Sequence, residues 1–190
     1  MQPSFYTPNE LAQLGLKAYG EDVLISRYAR LYSPENISLG SHVRIDDYAV
    51  LSVSNSLKIG SYVHIGVYVS IIGAGDIVIS DFCGLSGRVS LYSSCDDFSG
   101  EYLTNPTVDS KYTNVQSAPI MIGKHTVIGC GSVIMPGVTI GEGVSIGAMS
   151  LVIRDCKPNF IYVGNPLKKM VEKSTNYKIL EIEFLKHTIR

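Results

Sequence analysis

One short phrase recurs along this chain, and its spacing leaves little freedom of fold. Tyr-Gly-Glu-Asp-Val, Leu-Gly-Ser-His-Val, Ile-Gly-Ser-Tyr-Val and Ile-Ser-Asp-Phe-Cys begin at residues 19, 39, 59 and 79, twenty apart. After a gap the step tightens to six, through Ile122, Ile128, Ile134, Ile140, Ile146 and Val152, and glycine follows four of these (Gly123, Gly129, Gly141, Gly147). A fixed internal period marks a solenoid, and an aliphatic residue at every sixth position marks a hexapeptide β-helix. Three hexads make one triangular coil, so about eighteen residues, or about twenty with two extra at a corner, climb one rung.

Each hexad position then has a mechanical role. The first residue points into the prism. The fifth is small or β-branched, as in Val43, Ala49, Val63, Cys83, Thr126, Ser132 and Ser150, because a corner inside a narrow prism has no room for more. The glycine at the second position is expected where the chain bends without a Cβ clash. Rungs stack at ~4.8 Å with main-chain hydrogen bonds between coils, and the stack buries a continuous core that no single repeat could bury alone. Starts at 19, 39, 59, 79, 122 and 140 predict about six coils.

The chain has 190 residues, 45% of them hydrophobic, enough for one domain with a core. A net charge of −1 argues against a nucleic-acid partner. No stretch approaches the ~20 apolar residues of a membrane span. The start Met-Gln-Pro-Ser-Phe-Tyr has no basic and apolar leader, so a soluble cytoplasmic protein is expected. Cys83 and Cys156 occupy fifth positions as small inward hydrophobes. With Cys95 and Cys130 they form no metal-ligand spacing, so neither a disulfide nor a metal is expected.

Three segments fall outside the repeat. Residues 1–18 read as a helical cap, with Thr7 as N-cap, Pro8 at the first helical position, Glu10 in the first turn and Leu11, Leu14 and Leu16 as an apolar face. The β-helix domain is expected over 19–165, ending in the turn Gly164-Asn165-Pro166. The tail 166–190 reads as helical, with an extended arm as the alternative for Lys178 to Leu185. Within the solenoid, residues 94–118 are polar, aromatic-flecked and aperiodic. An interruption of that length is usually functional or disordered. Its aromatic residues, prolines and low charge favour an ordered loop that packs on a neighbouring subunit.

The hexads, the mid-solenoid loop and the run Ile-Met-Pro-Gly-Val-Thr-Ile-Gly-Glu-Gly-Val-Ser-Ile-Gly-Ala-Met-Ser-Leu-Val (134–152), followed by Gly-Asn-Pro, resemble the hexapeptide-repeat acyltransferases, above all the galactoside and maltose O-acetyltransferases and the acetyltransferases of surface-polysaccharide sugars. The resemblance covers about residues 19–172. It implies an all-β, left-handed parallel β-helix assembled as a homotrimer, with acetyl-CoA as acyl donor in the groove between two prisms. Loop 94–118 would wall a pocket for a sugar or nucleotide-sugar acceptor on the adjacent subunit. Ala148 and Ser150 would present main-chain groups to the pantetheine arm, Gly129 and Ser132 would line the groove one coil earlier, and Arg154 and Lys168 would lie near the nucleotide. Independently, residues 154–190 hold eight Lys or Arg against four Asp or Glu, a local +4 that suits either a polyanionic cofactor or a solvated cap.

The family's catalytic base is normally a histidine at the start of the loop, and here Asp96 stands in that place. A carboxylate is a weak base for a hydroxyl, although a pair such as Asp96 and Asp97 can share a proton. The two also suit a plain turn built on Asx hydrogen bonds. His64 is the other candidate, at the inter-subunit groove or as a surface histidine. His42 and His125 share a column about three rungs, ~15 Å, apart and cannot hold one metal ion within a chain. The first expected function is O-acetylation of a sugar. The alternatives are N-acetylation of a nucleotide-linked amino sugar, where an amine needs less help from a base, and a non-enzymatic scaffold.

Overall fold

Two-residue strands such as Arg44–Ile45 and His64–Ile65 recur because each hexad spends its other residues turning a corner. So short a strand has no stability alone and depends on the coils above and below it. The computed structural model describes residues 4–188 and shows the chain wound as a three-faced parallel β-solenoid. The ends of the expected cap and tail, 1–3 and 189–190, lie outside the described residues. Following the chain, a five-stranded face (Leu57–Ile59, Ile77–Ile79) leads to the longest face (His64–Ile65, Gly84–Leu85) and then to a six-stranded face (Ser70–Gly73, Ser90–Tyr92). The longest face stacks seven parallel strands, one more coil than the repeat count predicts, because Phe160–Val163 adds a rung without hexad lettering. An eighth strand, Lys168–Glu172, runs antiparallel beside it.

Inward positions are buried as expected. Ile45, Ile65, Leu85 and Ile128 are fully buried, and every fifth-position residue named above is 3% exposed or less. Burying an isoleucine contributes about 1.5–3 kcal/mol, so the prism is held by many equal increments rather than one centre. Coil-to-coil bonds such as Arg44 N–H to Val63 O (2.9 Å) and His64 N–H to Cys83 O (3.0 Å) satisfy the backbone.

The bend does not fall at the second-position glycines. Left-handed backbone lies at the fourth position, at His42 (φ 56), Tyr48 (60), Tyr62 (57), Tyr68 (58), Phe82 (56) and Arg88 (61). The second-position glycine answers a different demand, the closeness of the next coil: a Cβ on Gly40 would lie 2.6 Å from the carbonyl carbon of Gly60. Bulky residues rarely accept positive φ, and here rings in successive coils offset that cost by stacking. His42, Tyr62, Phe82 and His125 stack at 4.6, 4.7 and 5.0 Å along one corner. Tyr28, Tyr48 and Tyr68 stack at 5.7 and 5.0 Å along the next.

The ends differ from expectation in detail. Helix α1 is one turn, Pro8–Leu11, with the capping box of Thr7 and Glu10 in place, while Leu14 and Leu16 pack on the core beyond it. The tail begins as the strand Lys168–Glu172 where a helix is expected, because Gly164 reverses the chain onto Phe160–Val163. Helix α2, Tyr177–Thr188, then follows, and it is a helix rather than an extended arm. It lies along the His42–His125 column. Phe184 meets Tyr62 and Phe82 edge-on (83° and 85°), Tyr177 donates to Asn159 Oδ1 at 2.5 Å, and Glu181 pairs with both Lys124 and His125.

Candidate functional site

The loop leaves and re-enters the prism at the third corner without shifting the register. Ala118 N–H donates to Ser93 O at 3.0 Å, and Gly84 still pairs with Val127 as His64 pairs with Gly84. Its neck is a two-stranded antiparallel ribbon, Ser94–Cys95 with Gln116–Ser117, tied to the solenoid where Ala74 N–H donates to Ser94 Oγ (2.7 Å). Beyond the neck it is folded on itself. Leu103 N–H donates to Tyr112 O (2.9 Å), a 3-10 turn covers Ser110–Tyr112, and Phe98 is left 87% exposed at the rim.

Asp96 is the first residue past this neck, half-buried, and its carboxylate has no hydrogen-bond or ion-pair partner among the described residues. Asp97 behaves differently. It accepts from the Ser99 side chain (2.5 Å), from Ser99 N–H (2.7 Å) and from Asn114 Nδ2 (3.2 Å). These hydrogen bonds, Ser99's first, hold its carboxyl below the ordinary aspartate value. Asp97 is therefore engaged in the Asx turn of the loop.

His64 lies on the longest face, half-exposed, and its Nε2–H donates to Asp46 Oδ2 at 2.7 Å. Arg44 Nε donates to the other oxygen at 2.7 Å. Partial burial pushes the Asp46 carboxyl up, but the bonds from His64 and Arg44 outweigh it and leave the carboxyl below its ordinary value. An Nε2 engaged this way is not open to take a proton from an acceptor. Three ionised or polar groups form a surface cluster here, and no group of three His, Cys, Asp or Glu among the described residues is placed to hold a metal ion.

Four of the expected cofactor residues share one corner, the continuation of the Tyr28–Tyr48–Tyr68 column. Gly129 and Ala148 are at its surface. Ser132 and Ser150 point into the prism: Ser132 Oγ donates to Gly147 O (3.0 Å), and Ser150 Oγ donates to Gly147 O (2.7 Å) while accepting from Gly164 N–H (2.9 Å). Their hydroxyls bind the corner together and are closed to a ligand. Arg154 follows the six-stranded face, and Lys168 opens the last strand of the longest face.

The bacterial transferase hexapeptide (six repeats) family matches residues 119–154. The chain is 47% identical over 175 residues to the dTDP-4-amino-4,6-dideoxy-D-glucose acyltransferase of Escherichia coli, covering 92% of this chain and 90% of that one. It belongs to the hexapeptide-repeat acyltransferases. The structure superposes on AntD, an N-acyltransferase from Bacillus cereus solved with dTDP and 3-hydroxybutyryl-CoA, with a TM-score of 0.95, 42% identity and all of both chains covered. A chloramphenicol acetyltransferase from Klebsiella aerogenes is 33% identical over 57% of this chain and 58% of its own. A maltose O-acetyltransferase from Clostridium difficile 630, 24% identical with a TM-score of 0.54, shares the fold.

For an acyltransferase of this family, two residues absent from the sequence reading gain weight. Ser86 and Arg88 form one turn at the tyrosine corner, in the coil just before the loop. Ser86 stands at a second position, where the coils on either side carry Gly66 and Gly129, and this break in the glycine column is the signal that could have singled it out. The acyltransferase thus presents a carboxylate at one corner and a serine and a guanidinium at another. Within one prism these are different corners. The apolar concavity between α2 and Phe82, Tyr62 and His125 lies at yet another, and its histidine, His125, is engaged by Glu181 at 2.8 Å.

Proposed function

We propose that this acyltransferase moves an acyl group from acyl-CoA to the amino group of a dTDP-linked amino sugar, in sites formed between neighbouring copies of a homotrimer. The observation that carries the reading is the likeness over nearly the whole chain to the dTDP-4-amino-4,6-dideoxy-D-glucose acyltransferase. AntD adds support through its complexes with dTDP, with dTDP-4-amino-4,6-dideoxyglucose and with CoA or an acyl-CoA. Of the two acceptor chemistries the sequence suggested, these relatives favour the amine over the hydroxyl. AntD was also solved as variants at one serine and one aspartate ten residues apart in its chain. Ser86 and Asp96 are ten apart here, the serine on the tyrosine corner and the aspartate at the mouth of the loop.

Asp96 is the base in this reading. The acceptor nitrogen attacks the thioester carbonyl directly, and the proton then lost sits on a positively charged nitrogen. Such a proton is far more acidic than that of an attacking hydroxyl, so a carboxylate suffices where O-acetylation calls for histidine. The adduct collapses by expelling the CoA thiolate, which takes up the proton that Asp96 removed from nitrogen, so the thiol departs and the carboxylate is restored. Ser86 of one prism faces the loop of its neighbour and supplies a hydroxyl donor to the acyl oxygen, where negative charge develops. A carboxylate without a partner among the described residues fits a site completed by a second copy.

The reading is tested by CoA thiol release with dTDP-4-amino-4,6-dideoxyglucose beside the matching hydroxy sugar and maltose. Turnover is expected with the amine alone, giving an amide product by mass spectrometry, and Asp96→Asn is expected to lower it by about 10²-fold or more. Comparable turnover on the hydroxyl acceptors would restore O-acetylation. Light scattering of the same sample is expected to give three times the chain mass of 20.7 kDa.

A further inference from the structure

The tyrosine corner carries a surface that acyl transfer itself does not require. Tyr28, Tyr48 and Tyr68 are 59%, 48% and 49% exposed, and their rings stand one above another on successive coils. Arg88 continues the column with its guanidinium 5.6 Å from the Tyr68 ring, and it has no ion-pair partner among the described residues. The rings and charge end there: Gly131 occupies the next rung and brings no side chain, and the Met149 thioether of the coil beyond lies over it. Ser86 lies in the same turn as Arg88.

We propose that this column binds the nucleoside diphosphate part of the acceptor, an inference that rests on the nucleotide-sugar reading above. The other aromatic column shows how stacked rings take a further ring. Phe184 meets the edges of Tyr62 and Phe82 nearly at right angles, with its centroid 5.2 Å from that of Tyr62. A stacked column presents positively polarised ring edges outward, and the face of another aromatic system is their complement. On the tyrosine corner no residue fills that place among the described residues, and a nucleobase has the same flat shape. The cation sets the direction. Phosphate oxygens belong at Arg88, whereas the Asp47 carboxylate beside Tyr48 repels them. The base therefore lies toward Tyr48, the diphosphate at Arg88 and the sugar at Ser86. An uncharged sugar polymer would use the rings and leave the unpaired guanidinium without a purpose.

The test is calorimetric titration of the full chain with dTDP, in saturating CoA so that the donor site is occupied. Tyr48→Asn and Tyr68→Asn remove a ring while keeping a residue that tolerates positive φ. Each is expected to weaken dTDP by about five- to tenfold, with CoA affinity and assembly mass unchanged and with Tyr68→Phe close to wild type. Arg88→Ala is expected to weaken dTDP by tenfold or more. Unchanged dTDP affinity in all three deletions overturns the inference and leaves the acceptor reading standing. Wild-type protein that binds CoA but not dTDP overturns both. A fall in assembly mass in the tyrosine variants makes the column an interface between copies and overturns the inference alone.

Discussion

The two aromatic columns are built by one rule and end in opposite conditions. Both place a ring at the fourth position of successive hexads, both hold it in left-handed backbone except at Tyr28, and both stack at about the rung spacing. The His42–His125 column is closed by α2, with Phe184 against its edges and Glu181 clamping Lys124 and His125. The Tyr28–Tyr68 column stands open and leads to Arg88, which has no ion-pair partner among the described residues. Stacking alone is therefore a structural device of the coil. Its use depends on what comes to lie across it: on one side a piece of the chain's own tail, on the other a vacant aromatic edge with a cation at its head. The same comparison separates Asp97, satisfied inside the loop, from Asp96 beside it, which has no partner among the described residues.

If the closed column is structural and the open one is for binding, substitutions should divide accordingly. Phe82→Ala removes a ring that touches Tyr62, His125 and Phe184, and is expected to cost about 2–4 kcal/mol in urea unfolding. Tyr48→Asn is expected to cost less than about 1 kcal/mol. Equal costs would break the distinction. A smaller effect belongs to the clamp. The Lys124 hydrogen bond, followed by that of His125, lowers the Glu181 carboxyl below its ordinary value. Stabilisation from a lowered carboxylate is present above its unfolded value and lost as pH falls through the folded one. Glu181→Gln should cost about 1 kcal/mol at neutral pH, and variant and wild-type melting curves should converge in acid. A constant gap across pH would remove the ion pair from the account. The smallest effect is chemical and costs no stability. Cys83 follows Phe82 into the prism and burial pushes its thiol up to about 11, as it does for Cys156. Cys130 sits exposed at the open corner. A thiol reagent on folded protein should label Cys130 and spare Cys83 and Cys156, and rapid labelling of Cys83 would mean that the closed column opens.

Much of the prism could be read from residue spacing because its contacts repeat. Each Ile or Val at a first or fifth position meets the equivalent residue one coil away, so the six-residue step of Ile122, Ile128 and Ile134 already states who packs on whom. The glycine at second position was equally legible but for the wrong reason, since spacing shows where a side chain is absent and not whether backbone angle or a neighbouring coil forbids it. Asp96 was visible because the repeat stops beside it. Ser86 was marked only by a break in the glycine column, and that break gains meaning once the turn it shares with Arg88 is seen beside the exposed tyrosines. The tail was not legible. Lys168–Glu172 is a strand because Gly164 folds it onto Phe160–Val163, and α2 is placed by Glu181 reaching Lys124, 57 residues earlier.

The sequence by itself determined the solenoid, its inward residues, the position of the interrupting loop and membership of an acyl-transferring family, because these follow from a period that every coil repeats. The tertiary structure decided which column of rings is covered and which aspartate is already satisfied. Those are matters of exposure and pairing between residues far apart in the chain, and a local repeat contains no information about what will later fold across it.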